Sequence, residues 1–129
     1  MIEFTVKLPP ISKKNSQQIL INRATGRPFI SPSKKYKEYE KQAGWYIPRR
    51  EKPIDFPVNV KCVFYMPTKR KCDLTNLLEA IDDVMVKYGL LADDNFSVIE
   101  SHDGSRILYD KDNPRTEVTI CKVCREDSV

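Results

Sequence analysis

Between Pro67 and Asn95 the chain sets oxygen ligands beside cations. Lys69-Arg70-Lys71 leads to Asp73, Glu79 and Asp83 follow, and Asp93-Asp94 closes the run. Carboxylates hold hard divalent cations such as Mg²⁺. A bound cation makes water nucleophilic, and Lys or Arg positions a phosphate backbone. Together these groups meet the needs of phosphodiester hydrolysis. Each also has an ordinary use. Asp before an apolar-periodic run is a favoured helix N-cap, stabilising by about 1 kcal/mol. Asp93-Asp94-Asn95 has the composition of a turn, and Asp83 suits a solvated helix face. Local pattern leaves the role of Asp73 and of Asp93-Asp94 open between these readings.

The elements that must position these groups follow from periodicity. Leu74, Leu77, Leu78, Ile81, Val84, Met85 and Tyr88 recur at helical spacing, which predicts a helix over 73–88 closed by Gly89. Counted from Asp73 at about 100° per residue, its apolar stripe centres near about 80°, while Thr75, Asn76, Glu79 and Asp83 fall between about 200° and 300°. Ile2 to Leu8 and Val58 to Met66 alternate as strands, the second a central one. Phe96 to Ser101, Arg106 to Tyr109 and Thr116 to Val123 read as further strands, with Gly104 marking a bulge or a turn. Residues 11–32 read as a loop or short ribbon displaying cations. Ser31 or Ser33 caps a helix running to about Trp45 or Tyr46, with Pro32 tolerated in its first turn. The expected class is α+β, one domain over 1–129, with a mixed sheet of about four strands packed against two main helices.

Composition bounds the function. The 129 residues suit one domain, and 40% hydrophobic content excludes wholesale disorder. No window is apolar enough for a membrane span, and Met1-Ile2-Glu3-Phe4 lacks the marks of a secretory leader, so a cytoplasmic protein is expected. Residues 1–72 hold 16 Lys and Arg against 5 Asp and Glu, whereas residues 73–129 hold 6 against 13. A basic half attracts a polyanion, and the acidic half would repel it unless metal ions intervened. Cys62, Cys72, Cys121 and Cys124 are expected to stay reduced. Cys121-Lys-Val-Cys124 has the spacing of half a zinc site, but no second pair accompanies it, and His102 is the sole histidine. Lys13, Lys14, Arg23, Arg27, Lys69, Arg70 and Lys71 are the candidate phosphate contacts.

Met66-Pro67, the basic run, Asp73-Leu74-x-Asn76-Leu77, Gly89 and Asp93-Asp94 together resemble the RusA family of Holliday junction resolvases. Leu8-Pro9-Pro10-x-Ser12 with Asn15 downstream, the Arg-bearing loop, Ser31 and the helix containing Tyr36 or Tyr39 extend the likeness over roughly residues 3–122, leaving a short polar C-terminal tail. The resemblance implies a magnesium-dependent endonuclease, with Mn²⁺ an alternative metal, acting as an intertwined homodimer on four-way DNA junctions in recombination and repair. Such proteins are often carried by phages or prophages. It implies catalytic and metal-binding roles for Asp73 and Asp94, with Asp93 beside them, and adds Asn15 to the DNA contacts. No organic cofactor and no membrane partner is implied. Two positions depart from the pattern: Thr75 replaces a third catalytic Asp, and Glu79 replaces a functional Lys. Glu79 lies one turn from Thr75, so its longer side chain can reach back as the missing carboxylate, whether catalytic or metal-binding. The rival expectation is a catalytically impaired module that binds branched DNA.

Overall fold

The computed structural model describes residues 1–12 and 17–123; Lys13, Lys14, Asn15 and Cys124 lie outside them. The elements are β1 (Ile2–Val6), β2 (Gln17–Ile21), β3 (Pro28–Pro32), α1 (Lys34–Ala43), β4 (Val58–Met66), α2 (Leu74–Lys87), β5 (Ile99–Ser101), β6 (Arg106–Tyr109) and β7 (Arg115–Lys122). Alternation decides β4: Val58, Val60, Cys62 and Phe64 are buried, while the residues between them are not. The strand is central, antiparallel to β7 on one side and parallel to β5 and β6 on the other. Beyond β7, β1 completes the mixed sheet in the order β1-β7-β4 with β5 and β6 sharing the far edge.

This sheet has five strands rather than about four. Val58 pairs with Ile99 and Val63 with Arg106, so five steps along β4 face seven along the edge, and the surplus is thrown out as a turn. Gly104, at φ 88, occupies the left-handed position that this turn needs. The strand expected from Phe96 also begins later. Asn95 draws the chain into a helical turn, its side-chain oxygen accepting from Ser97 N and its carbonyl from Val98 N and Ile99 N. Phe96 is left 84% exposed.

Helix α2 buries Leu77, Leu78, Ala80, Ile81, Val84 and Met85 in one core with the inward face of β4 and with Val118 and Ile120 of β7. Each of the Leu, Ile, Val and Met side chains contributes about 1.5–3 kcal/mol by leaving water. Helix α1 starts at Ser33, whose hydroxyl accepts from Tyr36 N at 3.1 Å. Pro32 therefore belongs to β3, before the cap, and a 3₁₀ turn over Gly44–Tyr46 follows the helix. Tyr36, Tyr39 and Ala43 join the core. The two helices are also joined to each other. Lys87 pairs with Glu40, and the Tyr88 ring fills the space a side chain at Gly44 would occupy, 2.4 Å from an added Cβ. Among the described residues no helix is long and apolar enough to cross a membrane.

Strands β2 and β3 form a separate antiparallel ribbon. Its turn is tied by Asn22, which accepts from Gly26 N at 2.7 Å through its carbonyl and from Ala24 N at 2.9 Å through its side chain.

Candidate active site

From the end of β4 the chain runs through Pro67 into a loop carrying Lys69, Arg70 and Lys71, all exposed, and enters α2 at Asp73. Lys69 Nζ rests 5.2 Å above the Tyr109 ring, which ties the loop to β6. Asp73 holds the N-cap position, with extended backbone and a carbonyl that accepts from Leu77 N at 3.3 Å. Its carboxylate does not cap. It accepts instead from the Asn76 side-chain amide at 3.3 Å, and stays exposed. The residue thus occupies the cap position without the cap's chemistry, and its oxygens face solvent beside three cations. Thr75 and Glu79 lie on the exposed side of the same helix, one turn apart.

Asp93 and Asp94 form a second acidic station. Asp93 is partly engaged by the turn, accepting from Asp94 N at 2.7 Å and from the Asn95 amide at 3.1 Å. The Asp94 carboxyl is raised above the usual carboxylate range, first by its hydrogen bond with Asp93, then by partial burial and the charge of Asp83. Crowded acids disfavour one another's ionisation, and a cation between them relieves the repulsion. At about 1.5 Å per residue, Asp83 lies about 15 Å along the axis of α2 from Asp73. Among the described residues, no three His, Cys, Asp or Glu side chains converge on one metal position. Among the described residues of one chain, therefore, no three of Asp73, Glu79, Asp93 and Asp94 meet at one point, and any metal held within the chain would rest on a pair of carboxylates.

The structure also joins two residues that sequence reasoning passed over. Asp82, only 7% exposed, turns inward from α2, and its Oδ2 lies 2.9 Å from His102 Nε2. The other ring nitrogen, Nδ1, lies 2.9 Å from the Val60 carbonyl of β4. A carbonyl only accepts, so Nδ1 carries a hydrogen and Asp82 meets the nitrogen that titrates. Hydrogen bonding to Asp82 raises the His102 pKa against the opposing effect of burial. Burial pushes the Asp82 carboxyl up, and His102 opposes that rise. On the ring, the hydrogen bond and the charge of Asp82 both favour the protonated form. Asp82 Oδ1 is buried with no hydrogen-bond partner. The available signal was the helical wheel: Asp82 sits about 180° from Asp73, at the border of the stripe.

Asp103 serves the turn before Gly104, where its backbone exchanges two hydrogen bonds with the Asn59 side chain. Arg23 and Arg27 are exposed at the closed end of the β2–β3 ribbon. Lys13, Lys14 and Asn15 fall outside the described residues.

Residues 8–121 match the family described as Endodeoxyribonuclease RusA. Over 113 residues the chain is 29% identical to the Crossover junction endodeoxyribonuclease RusA of Aquifex aeolicus (strain VF5), covering 86% of this chain and 85% of that protein.

Proposed function

Because the chain belongs to the RusA family of endodeoxyribonucleases, we propose that it is a Mg²⁺-dependent endonuclease resolving four-way DNA junctions by paired nicks. It acts as a homodimer of single-domain chains, in cytoplasmic recombination and repair. The observation that carries this reading is the Asp73 carboxylate, held at the head of α2 and not used as a cap. The donor set suits Mg²⁺: both stations offer carboxylate oxygen only, and this ion takes one or two carboxylates while keeping several waters. Mn²⁺ suits the same oxygen donors. When bound, the ion supplies an ionised water and neutralises charge at phosphorus. Asp73 and Asp94 hold it, with Asp93 beside them, Asn76 orients Asp73, and Glu79 reaches toward Thr75 as the third carboxylate. Arg70 and Lys71 position the backbone, joined by Lys69, Arg23, Arg27, Lys13, Lys14 and Asn15.

Two observations support the homodimer. Ile19 and Ile21 lie on one face of the ribbon at 75% and 69% exposure, while Leu20 and Phe29, paired on the other, are also exposed. A lone two-stranded ribbon is marginal in water, and one that is apolar on both faces calls for a partner. The lack of a three-carboxylate cluster among the described residues of one chain points the same way, since a twofold axis can bring acids of two copies together.

Cleavage of a synthetic four-way junction with and without Mg²⁺ tests the proposal. Wild type is expected to give symmetric nicks. Asp73→Asn and Asp94→Asn are expected to lose about 10²-fold or more in rate while still binding. Binding without nicks in any divalent metal would leave a branched-DNA-binding module, which the Thr at position 75 favours. Restored cleavage in Thr75→Asp would then show a decayed site. No binding at all would refute both readings.

A further inference from the structure

A groove of about 750 Å³ lies between the segment after β1, helix α1 and the β4–α2 loop, and reaches Cys72, next to Asp73. Its size falls in the range of small-molecule sites, about 300–1,000 Å³. Leu8, Pro10, Met66 and Leu77 give it an apolar lining. Lys35 of α1 stands at its rim with Arg70 and Lys71 of the loop, all three exposed. The one carboxylate on its described lining is Glu38, which accepts from the Gln42 amide at 3.4 Å. Phosphate binding alone needs cations and no apolar lining. A nucleotide needs both, because its base has an apolar face and its flanking phosphates are anionic.

We propose that this groove takes one unstacked nucleotide of the bound DNA, its base against Leu8, Pro10 and Met66 and its phosphates on Lys35, Arg70 and Lys71. This rests on the nuclease reading above and adds a subsite to it: the captured nucleotide fixes which phosphodiester is presented at Asp73. Charge selects this occupant over an apolar segment of another protein, since three cations line the opening against one carboxylate. Unstacking is cheapest where stacking is already interrupted, as at a branch point. Lys35 thereby becomes a specificity residue outside the basic run that precedes Asp73.

The test uses four-way junctions carrying 2-aminopurine in turn at the nucleotides around the branch point, with metal withheld so that no strand is cut. At saturating wild-type protein, fluorescence is expected to rise at one position. Glu38→Trp, an exposed helix position, fills the groove, and is expected to abolish the rise and weaken junction binding about tenfold, the loss of one base contact. Lys35→Ala is expected to diminish the rise and, with Mg²⁺ restored, to redistribute the nicks; it disturbs no packing if Glu38→Trp fails to fold. If the wild type binds and nicks the junction while 2-aminopurine stays dark at every position, or brightens equally with both variants, the subsite is refuted and the nuclease reading stands. If Glu38→Trp dissociates the dimer with the fluorescence unchanged, the groove is a protein contact and the subsite is refuted. Failure of the wild type to bind any junction would overturn both.

Discussion

Replacing His102 by Phe keeps a ring against α2 but removes both hydrogen-bonding nitrogens. The Asp82 carboxylate then remains buried without a cation, and the Val60 carbonyl loses its imidazole contact. Breaking a deeply buried pair by removing one partner costs about 3–5 kcal/mol. Here the side chains are 25% and 10% exposed, so water compensates in part and about 2–3 kcal/mol is expected. For a domain of this size that lowers Tm by roughly 6–15 °C. The loss depends on pH in a defined direction. His102 has a folded-state pKa above its ordinary 6.5, so its stabilisation is fully present below pH 6.5 and fades as pH rises through the raised value. Asp82 is also raised, by burial first, so its ionisation opposes folding as pH climbs from the ordinary 3.8. The gap between wild type and His102→Phe should therefore peak in mildly acidic solution. It should narrow toward alkaline pH as the imidazolium is lost, and again in acid once both proteins carry a neutral Asp82. Thermal melts by circular dichroism across pH 4–9 measure this, with Asp82→Leu/His102→Phe expected to recover most of the loss. A gap that is constant across that range, or below about 0.5 kcal/mol at its maximum, would refute the ion pair.

Other expectations concern the interface, the DNA surface and the core. Ile19→Glu with Ile21→Glu should convert dimer to monomer by light scattering and abolish paired nicking, while the melt shows the main sheet still folded; a dimer that persists refutes the ribbon's role. Arg70→Ala and Lys71→Ala should each reduce the slope of log Kd against log salt by about one, read by anisotropy, and an unchanged slope would remove that residue from the phosphate contacts. Ile81→Ala, at a fully buried position of α2, should cost about 3 kcal/mol in urea denaturation. A cost under about 1 kcal/mol would mean that the helix packs more loosely than its burial indicates.

What the sequence disclosed followed from how local each signal was. Strand β4 was legible to its end residues because five apolar residues alternate within it and prolines flank it. Helix α2 was legible because its stripe is long and Gly89 stops it. The segment after Asn95 was not, since the side-chain oxygen and carbonyl of that one residue redirect three backbone hydrogens and hydrophobicity does not report that. Gly104 allowed a bulge or a turn, and only the register against β4 shows two surplus residues. Asp73 shows a limit of another kind: residue type sets where a cap stands, while the rotamer sets whether it caps. The bond between Asp82 and His102 joins residues twenty positions apart, and pairing across that span is a property of the folded chain. Asp73 and Asp94 have the chemistry of metal ligands in the sequence, but how they sit relative to each other is a property of the folded chain.

The bond between Lys87 and Glu40 and the Tyr88 ring seated at Gly44 tie the end of α2 to α1. The β2–β3 ribbon runs directly into α1 through Ser33. It is therefore a lever whose fulcrum is the Pro32-Ser33 joint, with Arg23 and Arg27 at the far end and the Asp73 helix mounted on the near side. On the nuclease reading proposed above, a DNA arm pulling on the ribbon tip would bend that joint or load α1 and, through its tie, α2. A strand held by those arginines and a strand at Asp73 would then be mechanically linked wherever that joint stays straight.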